Sequence, residues 1–327
     1  MTRSGVLLLS ALVLAFGAGA NAQETYPSKP IRALNPFAPG GAVDITSRVV
    51  ADPMREILGQ PIAIENKPGA FGIIAANELV RAKPDGYTIA FGNVNSHAIW
   101  PVIHKSKLPF SFEKEVTAIA RFADLPGLIV ATTTKFNLKT LKEVEEHAKK
   151  NPGALRYSSV GVGSFPHIDM ALWAHRSGIQ LTHIPNKSGA AGMVQDLATG
   201  DAQLAVLNVA NVAPMIRAGQ IVPLAALTEE RLPDYPDVPT IGELGFPGVG
   251  TIQWIGVFGS TKMPDAIAEK LHKATVEAVQ KPAVQENFKK QMIRTVPTKS
   301  VADARTWLKD ELTKWEKIVD ELKLDLN

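Results

Sequence analysis

Two glycine-rich stretches carry the residues best suited to chemistry. They are Asn35-Pro36-Phe37-Ala38-Pro39-Gly40-Gly41-Ala42-Val43-Asp44 and Gly161-Val162-Gly163-Ser164-Phe165-Pro166-His167. The first follows the apolar run Ile31 to Leu34 and leads into a helical pattern of Ile45, Val49, Met54, Ile57 and Leu58. The second follows the strand-like Leu155 to Ser159 and leads into Ile168, Leu172 and His175. A strand, a turn and a helix are therefore predicted at both places. The first turn of a helix leaves N–H groups without intrahelical partners, and the aligned peptide dipoles favour negative charge there. Gly40 and Gly41 let a ligand approach the main chain closely, and Pro39 stiffens the approach. An organic carboxylate is a natural guest for such a site. The same residues also spell an ordinary tight turn with Asp44 as its cap, or a plain strand-to-helix connection capped by Ser164.

Further polar candidates follow the strand predicted over Tyr87 to Phe91, at the carboxyl end where open α/β sheets hold ligands. Asn93 and Ser96 can donate to a carboxylate without bringing a counter-charge, or can cap the next segment. Ser164 and His167 read as donors around a small anion, with His167 gaining positive charge as pH falls. Gly161 and Gly163 resemble a nucleotide loop, but Pro166 and His167 stand where its third glycine belongs, and no P-loop is present. Ser164 and His167 are also the one obvious local nucleophile and base, so an exported hydrolase is the enzymatic alternative; it needs an acid orienting His167, and the chain has no Gly-x-Ser-x-Gly elbow. The 7 histidines form no close ligand motif, and neither a metal nor a cofactor is expected.

The start of the chain reads as an export leader. Arg3, an apolar run from Val6 to about Ala18 and the small-residue pattern Ala20-Asn21-Ala22 read as a signal peptide over residues 1–22, cleaved after Ala22 to place the chain in the periplasm. That run is too short to cross a bilayer, and no later span is long enough, so a protein that does not itself span the membrane is expected. Removing the leader takes away Arg3 and leaves a formal charge near +2 from the full chain's +3, with no basic stripe to suit nucleic acid. The absence of Cys excludes disulfides, thiol catalysis and thiolate metal sites.

Strand-like Pro61 to Glu65 and a helix over Phe71 to Arg81, grouping Ile73, Ile74, Asn77 and Val80, continue an α/β lobe with a mostly parallel sheet. Pro53 should kink or break the first helix. Leu128 to Ala131 opens new territory, followed by a capping box at Thr140 and Glu143 and by strands at Leu181 to Pro185 and Leu204 to Leu207. Between those strands, Ala190 to Leu197 reads as a helix. Ile221 to Leu227 and Thr251 to Gly259 are strand-like, and helices start at Pro264 and near Ser300. Trp307 and Trp315 are assigned to core or interlobe packing. The predicted architecture is α/β with two lobes, residues 23–127 with 253–327 and residues 128–252, joined by two crossings around a ligand cleft.

Taken together, the chain resembles the Bug or TctC-like extracytoplasmic solute receptors of tripartite tricarboxylate transport systems. The resemblance runs through Tyr26 to Ile31, Pro36 to Asp44, Glu65 to Gly69, Pro84 to Thr88, Tyr157 to His167 and Pro236 to Gly245. It implies a periplasmic binding protein fold that closes on a small carboxylate, in part through ordered water, and delivers it to a membrane permease. It also implies that Phe37, Pro39, Gly40, Gly41 and Asp44 hold one carboxylate, while Gly161, Gly163, Ser164 and His167 contribute from the other lobe. Two departures from the family pattern add Asn186, Leu207 and Asn208 to the candidates, beside Asn93 and Ser96. Leu207 stands where many relatives have an acid, which removes a possible acceptor for an amino or hydroxyl group, or else it faces the core.

Overall fold

In the computed structural model, which describes residues 25–132 and 136–323, the apolar runs become strands of two sheets and the helical patterns cover them. The expected leader and its cleavage point lie outside the described residues. The chain begins with β1 (Ile31–Asn35), α1 (Ala42–Leu58), β2 (Ile62–Asn66), α2 (Ile73–Arg81) and β3 (Thr88–Asn93). A π-helical turn at Asn95–Ile99 leads to α3 (Trp100–Ile103), α4 (Phe112–Glu115) and β4 (Val116–Leu125). Only Pro126 separates β4 from β5 (Gly127–Thr132), which opens the second sheet. There follow α5 (Leu141–Lys150), β6 (Arg156–Ser159), α6 (Phe165–Ser177), β7 (Thr182–Pro185), α7 (Gly189–Thr199), β8 (Leu204–Asn208), α8 (Val209–Arg217) and β9 (Ile221–Ala226). The chain then returns through β10 (Gln253–Ser260), α9 (Asp265–Val279), α10 (Pro282–Lys290), β11 (Arg294–Thr295) and α11 (Val301–Leu322).

The first sheet has the order β11-β4-β10-β3-β1-β2, and the second β7-β6-β8-β5-β9. β1 runs parallel to β2 and β3, but β10 is antiparallel to both β3 and β4, so the first sheet is mixed rather than mostly parallel. The reason is topological. β4 leaves the sheet at the edge facing the second lobe, and β10 re-enters from that edge, so it must run against its neighbours. In the second sheet β5 starts at the same gap and β6 and β8 end there. The loops after β1, β3, β6, β7 and β8 therefore all meet between the lobes, which is where strand ends in α/β sheets hold ligands.

Some local expectations change and others hold. α1 is continuous through Pro53, because Val50, Ala51, Met54 and Leu58 pack the same core stripe on both sides of it. α2 buries Ala75, Ala76 and Leu79 and leaves Ile74 49% exposed, the small residues letting it lie close on β1 and β3. The Thr140 capping box forms with both of its bonds, Glu143 N–H to Thr140 Oγ1 and Thr140 N–H to Glu143 Oε2, each 3.2 Å. Trp315 is fully buried in a core cluster that runs from Leu34 in the first lobe to Trp173 in the second. Trp307 packs edge-on against Trp254.

Candidate functional site

The first glycine-rich turn carries the chain from β1 into α1. Gly40 sits at φ 81°, a left-handed conformation that suits glycine. Gly41 is the residue before α1, and having no side chain it supplies no cap. The Gly40 N–H donates to Asp44 Oδ2 at 3.0 Å and the Gly41 N–H to Ala38 O at 3.4 Å. The amides of Ala42 and Val43 have no protein acceptor among the described residues, and both residues border the interlobe cavity.

Asp44 lies behind the turn. It is 3% exposed and accepts hydrogen bonds from Arg48, from Asn66 Nδ2 at 2.8 Å and from Asn35 Nδ2 at 3.3 Å. Burial alone would raise its pKa; the bonds from Arg48, the Gly40 amide and Asn66 outweigh it and hold the carboxyl below its ordinary range. Asp44 thus stays ionised and neutralised by Arg48 while fixing the shape of the turn.

The second lobe meets the cavity through the start of α7. Ser188, Gly189, Ala190 and Ala191 line it, and no side chain caps this helix either. Asn186 holds that turn from behind: its Oδ1 accepts from the Ser188 N–H at 2.9 Å and its Nδ2 donates to Asp196 Oδ2 at 2.9 Å. Sequence reasoning misses Ser188 to Ala191 as site residues. Their signal is the same one used elsewhere, a short strand followed by a glycine-containing turn and a helix.

Between these two helix starts lies a cavity of about 850 Å³, within the range of small-molecule sites. Its wall carries Phe37, Pro39, Gly40 and Gly41 from one side and Leu207 and Asn208 from the other. Asn93, Asn95, Asn211 and Gln253 add neutral polar groups; Phe71, Trp100, Val160, Phe165 and Met193 add apolar ones. Among the described residues, Lys187 is the one charged side chain on this wall, and no carboxylate lines it. Asn208 Nδ2 donates to Gln253 Oε1 at 2.5 Å, linking β8 to β10. Asn93 and Ser96 cap each other, the Asn93 N–H donating to Ser96 Oγ at 3.1 Å and the Ser96 N–H to Asn93 Oδ1 at 3.2 Å. Asn93 borders the cavity and Ser96 does not. Leu207 is 2% exposed and belongs to the second lobe's core as well as to the wall.

The second glycine-rich turn is used differently. Four of its amides are taken up by the protein: Gly161 N–H by Ser159 Oγ at 3.1 Å, Gly163 N–H by His167 Nδ1 at 3.3 Å, Ser164 N–H by Gly161 O at 3.2 Å, and Phe165 N–H by Asn95 Oδ1 of the first lobe at 2.9 Å. A methyl group on Gly161 would sit 3.4 Å from Phe71 Cζ, and one on Gly163 would sit 3.4 Å from Ile103 Cδ1 and 3.8 Å from Trp100 Nε1. Such methyls would be in ordinary van der Waals contact, so what calls for glycine here is the positive φ, 130° at Gly161 and 77° at Gly163. Phe165 and Pro166 reach the cavity wall; Gly161, Gly163, Ser164 and His167 do not.

His167 gains its positive charge only at more acidic pH than its type suggests. Burial, together with the nearby His183 ring 4.4 Å away, pushes its pKa down to about 4. Ser164 Oγ donates to Gly161 O at 2.6 Å rather than to His167, and among the described residues no acid hydrogen-bonds His167. The pair lacks the arrangement of an activated nucleophile. Among the described residues no cluster of His, Asp or Glu could hold a metal ion, and no helix is long and apolar enough to cross a membrane.

Comparison with known proteins agrees with this geometry. The family model described as "Tripartite tricarboxylate transporter family receptor" matches residues 46–324. A UPF0065 protein of Bordetella pertussis is 33% identical over 316 residues, covering 97% of this chain and 96% of that protein. Among solved structures, R. palustris Rpa4515 with adipate superposes with a TM-score of 0.80 at 27% identity, covering 91% of this chain and 98% of that one. MatC from Rhodopseudomonas palustris with bound malate gives 0.77 at 28% identity, covering 90% and 100%.

Proposed function

The chain belongs to the tripartite tricarboxylate transporter receptor family, and on that premise we propose that it captures a small organic carboxylate between its lobes in the periplasm and hands it to a membrane permease. The family is one of solute-binding receptors rather than enzymes, with the two-lobed α/β fold of periplasmic binding proteins. Relatives of this fold hold adipate and malate. We take the lobes as approximately residues 23–127 with 253–327 and 128–252; β5 opening the second sheet at Gly127 and β10 returning at Gln253 support this division, and the single residue between β4 and β5 suits a hinge.

The observation that carries the proposal is the start of α1. It presents uncapped amides to a cavity whose wall, among the described residues, carries Lys187 and no acidic group. A carboxylate placed there accepts hydrogen bonds from oriented dipoles that need little reorganisation, each worth about 1.5–3 kcal/mol to a charged acceptor. The Gly40–Val43 turn is the proposed anchor, with α7's first turn and Asn93 and Asn208 completing the cage. Ordered water can bridge the remaining gaps. A free ammonium group finds no carboxylate partner on this wall, so amino acids should bind worse than the corresponding simple acids. Calorimetric titration against aliphatic acids, amino acids and uncharged sugars tests this. We expect at least one acid to bind and to raise the melting temperature; no response from any acid, or preferred binding of sugars, would contradict it.

A further inference from the structure

The cavity has a polar, amide-bearing side and an aromatic side. Phe71 stacks on Trp100 with centroids 4.5 Å apart and planes 16° apart, and Trp100 in turn lies 4.1 Å from the His104 ring. Phe71 is the end ring of this tier, and both it and Trp100 border the cavity. The backbone that presents Phe71 is unusual: Gly69, Ala70, Phe71 and Gly72 all have positive φ, at 135°, 43°, 48° and 106°. Two consecutive non-glycine residues in the left-handed region are strained, and such strain persists where the surroundings dictate one conformation, commonly beside a bound ligand. Trp100 supports Phe71 from its own lobe. From the other lobe Gly161 faces its edge, where an added methyl would stand in van der Waals contact, 3.4 Å from Cζ. The ring therefore sits between Trp100 of its own lobe and the second glycine-rich turn of the other.

We propose that Phe71, seated on Trp100, is a specificity-determining wall that selects carboxylates with a flat aromatic body. This inference rests on the carboxylate reading of the same cavity and names the part of the solute that reading leaves open. An acid anchored at the start of α1 projects its body into a space of about 850 Å³, far more than an acyclic four-carbon diacid fills. A short polar chain leaves the aromatic side wet. An aromatic body removes that water and can meet Phe71 in the offset-stacked or edge-to-face arrangements that rings prefer. Because the strained turn fixes Phe71 before the solute arrives, little ordering is required on binding.

The test is calorimetric titration of the purified full-length mature chain with benzoate, 4-hydroxybenzoate, adipate and malate, repeated on Phe71→Leu and Phe71→Tyr. Leucine keeps apolar bulk and loses the ring; tyrosine keeps the ring. We expect the aromatic acids to bind at least about tenfold more tightly than malate. We also expect Phe71→Leu to weaken the aromatic acids roughly three- to tenfold and adipate less than about twofold, with Phe71→Tyr close to wild type. Aromatic acids binding no better than malate, or equal losses for benzoate and adipate in Phe71→Leu, would overturn the inference while leaving the carboxylate anchor intact. Silence from all four acids would overturn both. Should Phe71→Leu fail to fold, the wild-type benzoate-to-malate ratio decides.

Discussion

The two glycine-rich turns begin from the same grammar, a strand end, glycines and a helix start, and serve opposite ends. At Gly40–Val43 the first amides of α1 have no protein partner among the described residues and face the cavity. At Gly161–Phe165 the amides of Gly161, Gly163, Ser164 and Phe165 each have one, and the glycines serve the positive φ of a turn that faces Phe71, Trp100 and Ile103 of the other lobe. Glycine permits close approach by any neighbour, ligand or chain. What distinguishes the two turns is the set of acceptors around them.

Ala42→Pro should separate the turns most sharply. Proline is favoured at the first position of a helix and takes away only its N–H. Gly41, at φ −74° and ψ 165°, already has the extended conformation that precedes proline. Carboxylate affinity should fall by about 10- to 100-fold, while the unliganded melting temperature moves little; titration and thermal melting check both. Gly161→Ala should do the reverse. Forcing a side chain to φ 130° beside Phe71 should cost about 2 kcal/mol of stability, with a smaller change in adipate affinity than Ala42→Pro, read by denaturant titration. Asn95→Ala removes the acceptor of the Phe165 N–H and should cost about 1–2 kcal/mol by the same measurement.

Much of this organisation is legible in the sequence because it is local. Periodicity and Gly/Pro punctuation mark β1, α1, β6 and α6, and the Ser/Thr-x-x-Glu spacing marks the start of α5. The unread parts depend on distant partners. β4 is buried along nearly its whole length, yet it contains Arg121 and Asp124, which pair with each other and disguise the strand. Pro214 and Asn211, with Asn208 just before the helix, hide α8. Nothing near residue 165 announces that its amide is claimed by Asn95, 70 residues earlier. Leu207 reads in the sequence as either wall or core, and it is both.

A finer contrast involves α6, the helix opened by the second turn. Its Asp169 is buried and accepts from Thr251 N–H at 3.0 Å and Thr251 Oγ1 at 2.7 Å, tying α6 to the returning crossover. Burial raises its pKa to about 7 against the partly compensating Thr251 bonds and the Lys314 charge. An acid whose folded pKa is raised binds more protons in the folded state, so its contribution falls as pH rises from about 4 to 7. Asp169→Asn should therefore lack this decline, and the variant's melting temperature should rise relative to wild type by a few degrees between pH 5 and pH 8. A constant gap would mean that Asp169 does not titrate in that range.

The central claim concerns peptide hydrogens, and amide NMR of the labelled chain observes them directly. On saturation with a carboxylate that binds, the Ala42 and Val43 amide protons should move downfield as they gain an acceptor, and those of Gly161, Gly163 and Phe165 should move less. Unmoved Ala42 and Val43 resonances, with the large downfield shifts at Gly161 to Phe165 instead, would contradict the account.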